Sequence, residues 1–543
     1  MNLVMDDTGL KPFITSAEKY IQHVRISPDG NRALVEARGD IFSVPAENGY
    51  VKNLTGTTDA MERYASWSPD GRAIAYWSDK SGEYELWLLE PDKEGSPQKL
   101  TSFGPGFRYN LFWSPDSKKI AFIDKAMKIK IYDRDSKQTY DVDKALRFAQ
   151  DNLEGFTCSW SADSRWLAYS RDMENYHNAI FLYNYPSKKL TQITTGFYNC
   201  YNPVFDPEGK YLYIATTQSF QPTYSDYDNT FIYANSTQLA SISLQKGTPS
   251  LLAPKNDSVN IEQEEKKAEE KLKKPRKDTT GAIGPKTPIQ PVNIDLDGLE
   301  NRLVILPIPA GYYGTLAASK GRFIYLKYPA PGITEAKPVL NYYDLEKREE
   351  KTILENVSAF ELSYKENKIL VQRDNTWAVI KNDETQKFEK PLRMAEMQLR
   401  VDPRQEWKQL FTDTWRIERD FFYDPNMHGV NWNQVKERYG KMLEGAMTRE
   451  EVDFILGEML GELNASHTYH GGGDLQETKN LSVGYLGVDW QAEGEYYKIK
   501  KVLHGAAWDA EARSPLDVSG GLIKEGDYIL AVNGVKITTD QEP

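Results

Sequence analysis

At 543 residues the chain is too long for a single ordinary hydrophobic core, so several domains are expected. Its 40% apolar and 27% charged residues exclude a disordered or membrane composition, and the 33 Tyr, 20 Phe and 12 Trp favour strands, whose pleated surface suits planar rings. A formal net charge of −12 argues against nucleic acid as a main partner, because a phosphate backbone would be repelled.

The first residues, MNLVMDDTGLKPF, have neither the basic start nor the apolar run of a signal peptide, and no apolar stretch reaches the length of a membrane span. A cytoplasmic location is expected, or a periplasmic one if a leader precedes these residues. Cys158 and Cys200 cannot form a disulfide framework and read as ordinary thiols. The six histidines make no zinc-like spacing, so neither a metal nor a cofactor is expected.

One pattern recurs in the first 210 residues: Ile26-Ser-Pro-Asp-Gly30, Trp67-Ser-Pro-Asp-Gly71, Trp113-Ser-Pro-Asp-Ser117, Trp160-Ser-Ala-Asp-Ser164 and Phe205-Asp-Pro-Glu-Gly209. The second residues of these copies are 41, 46, 47 and 45 apart, and strand-like runs follow (ALVEA, AIAYW, KIAFI, WLAYS, YLYIA). Ser or Asp opens a turn, Pro presets its second position, and Gly tolerates the fourth. A period in the forties with several strands per unit is the signature of a β-propeller.

Residues 230–244, 321–328, 339–348, 368–374 and 377–383 also read as strands. With the five clear units they predict a propeller of about seven blades over residues 13–392. Residues 255–290, dense in charge of both signs, read as a disordered or briefly helical insertion between blades.

Residues 393–480 form the next expected domain, a helical segment. In 404–422, Trp407, Leu410, Phe411, Trp415 and Phe422 make an apolar stripe that Asp424-Pro425-Asn426 ends. Asn431 caps a second helix bearing Trp432, Val435, Tyr439, Met442 and Leu443 on one face. Thr448 and Glu451 form the capping box of a third. That helix runs out into Gly461-Glu-Leu-Asn-Ala-Ser-His-Thr-Tyr-His-Gly-Gly-Gly473, which delivers Ser466 and His467 at an element end beside glycines. Taken alone, a histidine in a polar loop is more often structural. The pair Glu83 and Glu85 reads as solvated carboxylates at a strand end.

The runs WRIERDFFYDPNMHGVNW (415–432), LGEMLGELNASHTYHGGGD (456–474) and IDLDGLENRLVILPIPAGYYG (294–314) resemble tricorn-type serine peptidases. The resemblance covers essentially the whole chain. It implies two propellers of six and seven blades, a helical segment, a PDZ domain and a final α/β segment, of which this chain would hold the middle. It also implies catalysis by a serine nucleophile with a histidine base, an acidic residue and an auxiliary serine. The base and auxiliary serine map onto His467 and Ser466; His470 matches no catalytic position.

Residues 481–543 resemble the first part of a PDZ domain. Gly484-Tyr-Leu-Gly-Val488 has the look of a carboxylate-binding loop. Asn533-Gly534 is a type I′ hairpin signal. The expected architecture is therefore multidomain and mainly β: a seven-bladed β-propeller, a helical segment and a truncated PDZ domain. The implied function is part of a serine endopeptidase or oligopeptidase acting on peptide substrates, with His467 as general base for a serine this chain lacks, so that the chain alone is expected to be inactive. The alternative is a non-catalytic propeller–PDZ module that binds peptides or proteins. A homo-oligomer is possible, though no residue requires one.

Overall fold

The recurring turn is set by one serine. The Gly30 amide donates to the Ser27 carbonyl at 2.9 Å and the Arg32 amide to Ser27 Oγ at 3.0 Å, while Ser27 Oγ donates to Asp29 at 2.8 Å. Ser68, Ser114 and Ser161 repeat this with the amides of Ala73, Lys119 and Trp166. The fourth residue is left-handed each time, at φ 70° for Gly30, 75° for Gly71 and 60° for both Ser117 and Ser164. That conformation explains the preference for glycine there. A further copy is hidden in the sequence: the Lys368 amide donates to Ser363 Oγ at 3.1 Å, and Glu366 holds the left-handed position at φ 60°. Without Pro, Asp or Gly, only the Leu-Ser pair before a strand marked it.

In this computed structural model the described residues are 8–541, apart from 92, 94, 148–152, 220–221, 234, 256–289, 331–332, 334–335, 476–483, 506–507 and 509–512. Two compact units divide the chain, Met1–Gly471 and Gly472–Pro543.

In the first unit, antiparallel sheets of four strands occupy residues 21–53, 62–99, 112–144, 158–192, 200–305 and 312–355, and one of three strands occupies 359–381. Each sheet's first strand meets the first strand of the next, and Ala359–Leu362 of the seventh returns to Ile21–Ile26 of the first. The result is a closed ring of seven blades, as the repeat predicts.

At the closure, Arg25 Nε and the Ile26 amide each donate to the Glu361 carboxylate at 2.8 Å. Outside it, Phe13–Ser16 pairs antiparallel with Gln398–Val401, tying the two ends together. Two of the bulky residues before the turns bond the neighbouring blade: Trp113 Nε1 donates to the Ser66 carbonyl and Trp160 Nε1 to the Phe112 carbonyl, both at 3.1 Å. An indole buried without such a partner would cost about 1–3 kcal/mol.

The charged insertion differs from expectation. It departs within the fifth blade, after Gln238–Ser243 and before the blade's last strand, Leu303–Ile305, rather than between blades. The blade survives because its last strand pairs across the detour, Ala240 with Ile305 and Ile242 with Leu303. Residues 256–289 of the insertion lie outside the described residues.

Three helices follow, α1 (Pro403–Phe421), α2 (Trp432–Leu443) and α3 (Arg449–Gly461). Proline begins α1, Asn431 accepts from the Gln434 amide to cap α2, and Thr448 with Glu451 forms the capping box of α3. Their apolar stripes share one core. Trp415 Nε1 donates to the Trp432 carbonyl at 2.8 Å, and Trp432 Nε1 to the Trp415 carbonyl at 2.9 Å. No helix among the described residues is long and apolar enough to cross a membrane.

The second unit holds a three-stranded sheet (Val488–Glu493, Tyr496–Val502, Tyr528–Ile529) and the hairpin Ala531–Val532 with Val535–Lys536. Asn533 and Gly534 turn that hairpin with φ of 49° and 78°, the two positive values a type I′ turn requires.

Glu62 is buried beside Asp40 and Asp79 and accepts hydrogen bonds from Thr57 Oγ1 at 2.7 Å and Ser78 Oγ at 3.0 Å. Burial, reinforced by the Asp40 and Asp79 carboxylates against these two hydroxyls, pushes its carboxyl from 4.5 to about 8. The folded protein therefore holds this proton more tightly than the unfolded chain. The stabilisation is complete below pH 4.5 and is lost as pH rises through about 8. Urea midpoints of Glu62→Gln are expected to fall less than those of the parent over that range; parallel curves would show that Glu62 ionises normally.

Candidate active site

Helix α1 is buried on two faces. The apolar stripe faces α2 and α3, as its spacing predicts. The opposite face meets the first two blades through charges: Arg38 grips Glu406 at 2.6 and 3.0 Å, Arg63 reaches Asp413 at 2.7 Å, and Arg419 grips Glu83 at 2.6 and 3.0 Å. Arg416 donates to Asp79 at 2.5 Å and to the Gly82 carbonyl at 2.7 Å, and Tyr84 donates to Asp413 at 2.8 Å. Glu83 is thus an anchor for α1, not a solvated carboxylate. Glu85 is buried too, accepting from Thr101 Oγ1 at 2.6 Å and the Gly104 amide at 2.8 Å. Both depart from expectation because this strand end lies under a helix and a loop instead of facing water.

The helices so docked present the Ser-His loop. Leu463 is fully buried in the helical core, and its amide still donates to Leu460. The chain then turns away through Asn464 in a left-handed conformation, φ 47°. Ser466 and His467 are both exposed, and His467 is itself left-handed at φ 65°, a region where His and Asn are tolerated better than most residues. Among the described residues neither side chain has a hydrogen-bond partner; the His467 ring lies edge-on to Tyr469 at 5.7 Å. The pair is adjacent, but its members are not bonded to each other. An exposed imidazole with both nitrogens free can accept a proton from a hydroxyl brought to it.

Two other histidines lie against this loop. His428, in the turn after α1, approaches the Leu463 carbonyl with Nδ1 at 2.7 Å, and its Nε2 meets the Tyr423 hydroxyl. His470 lies over α3 at Gly457, with Nδ1 4.0 Å from Asp453. Sequence reasoning passed over His428; the only signal was its place in a turn just before the Asn431 cap.

Elsewhere, a cavity of about 360 Å³ opens at the end of the ring that carries the Ser-Pro-Asp turns, with Trp67, Trp113, Trp160, Tyr364, Arg25 and Glu361 in its wall. The α1 contacts engage the opposite ends of the same blades. Both cysteines are free thiols, Cys200 buried and Cys158 half-buried. No cluster of metal-ligating side chains occurs among the described residues.

Comparison with known proteins matches residues 21–383 to the tricorn protease second β-propeller domain, 403–461 to the tricorn protease C1 domain and 484–543 to the tricorn protease PDZ domain. Tricorn protease homolog 1 of Streptomyces coelicolor is 26% identical over 540 residues, covering 94% of this chain and 48% of the relative. The tricorn protease homolog of Saccharolobus solfataricus is 25% identical over 549 residues, covering 98% and 47%. A crystal structure of the tricorn protease shares the fold with a TM-score of 0.70 at 18% identity, over 99% of this chain and 50% of that one. The chain spans about half the length of the curated relatives it matches.

The buried ion network gives the first test of how the site is held. Arg416→Met keeps the apolar stem but leaves the buried Asp79 carboxylate without its cation. It is expected to lower stability by about 3–5 kcal/mol, as removal of one partner from a buried pair does. Urea unfolding followed by tryptophan fluorescence measures it; a loss below about 1 kcal/mol would place these charges in water.

Proposed function

The chain belongs to the tricorn protease family, and on that premise we propose that it is part of a serine peptidase that hydrolyses peptides, with His467 as general base and Ser466 as the auxiliary serine beside it. The observation that carries this reading is the exposed, unengaged His467 imidazole, held in a left-handed turn at the end of a capped, docked helix.

A serine hydroxyl attacks poorly near neutral pH unless its proton is removed as the bond forms. His467 accepts that proton while the serine oxygen bonds to the peptide carbonyl carbon. The imidazolium then returns the proton to the departing amine as the C–N bond breaks. Water repeats the sequence on the acyl-enzyme: His467 takes the water proton, the ester bond breaks, and the serine leaves protonated. Ser466, next in the chain, supports the arrangement from the same loop. The nucleophile, the acid that orients His467 and the oxyanion donors are not assigned to residues of this chain.

The propeller, in this proposal, filters or channels peptides toward the site. The cavity lined by Trp67, Tyr364 and the Arg25–Glu361 pair supports that role, since apolar and charged groups together suit an extended chain of mixed polarity. The same cavity favours the second reading, a propeller–PDZ module that binds peptides without cleaving them.

Turnover separates the two. In the peptidase assembled with its nucleophile, His467→Ala is expected to lower kcat for an oligopeptide at least about 100-fold, the usual contribution of a positioned base, with KM little changed. Equal turnover by the variant would remove His467 from the mechanism. Peptide binding with no hydrolysis by any length of the protein would favour the binding module.

A further inference from the structure

The loop bearing Ser466 and His467 is fastened on both sides. Before it, the Leu463 side chain is sunk in the helical core and the Leu463 carbonyl faces His428 Nδ1 at 2.7 Å. A carbonyl can only accept, so Nδ1 carries the hydrogen; Nε2 is then free to accept from the Tyr423 hydroxyl. The His428 ring also lies edge-on to Phe422 and Tyr423, at 5.1 and 5.2 Å. Two successive left-handed residues, Met427 at φ 52° and His428 at φ 54°, aim the ring at α3. Strain of that kind persists where surrounding contacts determine it.

After the loop, His470 folds back onto α3. Its ring occupies the space a side chain would take at Gly457, where an added Cβ would fall 2.5 Å from Nε2. Asp453, one turn earlier and paired with Arg449 at 2.7 Å, stands 4.0 Å from His470 Nδ1. Between these two fastenings the loop is braced internally, by the bond from Thr468 Oγ1 to the Ala465 carbonyl at 3.1 Å.

We propose that His428 and His470 are positioning residues that clasp the Ser466–His467 loop at its two ends and fix the imidazole of His467 relative to α3. The proposal rests on His467 being the general base. His428 suits the first end because a neutral imidazole supplies a donor and an acceptor on opposite edges and tolerates the left-handed backbone. Asn can replace both the backbone tolerance and the donor at the Nδ1 position; Leu replaces neither. Gly457 serves the second end by its missing side chain.

The test uses the 543-residue chain and then a peptide-hydrolysing form. Histidine-selective nitrogen NMR, with only six histidines to assign, is expected to find His428 as the Nδ1–H tautomer above neutral pH; an Nε2–H tautomer overturns the first fastening without any mutation. In hydrogen exchange read by mass spectrometry, His428→Leu and Gly457→Ala should each speed exchange at residues 464–468 at least about tenfold. Residues 452–460 of α3 should keep their protection, and His428→Asn should stay close to the parent. Parent-like exchange in both His428→Leu and Gly457→Ala sinks the clasp. In the hydrolysing form these two variants should lose about tenfold in kcat at unchanged KM, with His428→Asn restoring it. A loosened loop with unchanged kcat rejects the positioning role. A loosened loop in a protein that cleaves nothing at any length leaves the clasp standing and removes the catalytic reading instead.

Discussion

The contact on which the site's geometry depends is the buried ionic face of α1. Asp413 and Arg416 are both nearly closed to solvent, at 10% and 5% side-chain exposure, and each meets an opposite charge of the second blade. A charge without water must find its partner at a fixed distance, so such pairs specify one docking geometry more strictly than apolar surface does. Arg38 with Glu406 and Arg419 with Glu83 extend the same row toward the two ends of the helix. Because α2 and α3 share a core with α1, fixing α1 on the ring fixes the end of α3 as well.

The ring itself is a set of repeated local solutions joined by interblade bonds. A serine hydroxyl, or the Asp206 carboxylate in the fifth blade, satisfies an amide that the turn would leave unpaired, and a left-handed fourth residue lets the chain reverse. Large rings then pack between blades, with indole nitrogens bonded to neighbouring carbonyls where the sequence supplies Trp113 and Trp160. Closure uses a different device. Glu361 of the last blade takes the Arg25 guanidinium and the Ile26 amide together, and the third and fourth blades are likewise joined by charge through Asp143 and Arg171. The rigidity of this platform lets a short exposed loop hold a defined place.

At that loop, exposure and order coexist. The proposed role of His467 requires open nitrogens, and a loop that leaves them exposed must be ordered through other atoms. Leu463 provides an apolar anchor, His428 a hydrogen bond to its carbonyl, and Gly457 the clearance for His470. The His467 imidazole is left unengaged while its neighbours carry the contacts.

Periodic features were legible in the residues alone. Turn residues with a period in the forties marked five blades, because each turn's chemistry is local, while looser strand runs supplied the other two; the Thr448–Glu451 capping box and the Asn431 cap marked helix starts for the same local reason. The Ser466–His467 pair was found by resemblance, since two small polar residues in a loop carry no periodic signal. What escaped was non-local. Glu83 and Glu85 read as solvated because charge on a strand end usually is; the packing of a helix some 330 residues later covered Glu83, and the loop at Thr101–Gly104 covered Glu85. Ser363 lacked the flanking residues of its relatives, and the insertion's place within a blade was decided by pairing across it. Sequence determined the repeats, the turns and the helix ends, where neighbours along the chain supply the partners. Tertiary structure decided which charges lie buried and which histidines meet the loop, because those partners are brought together only by the fold.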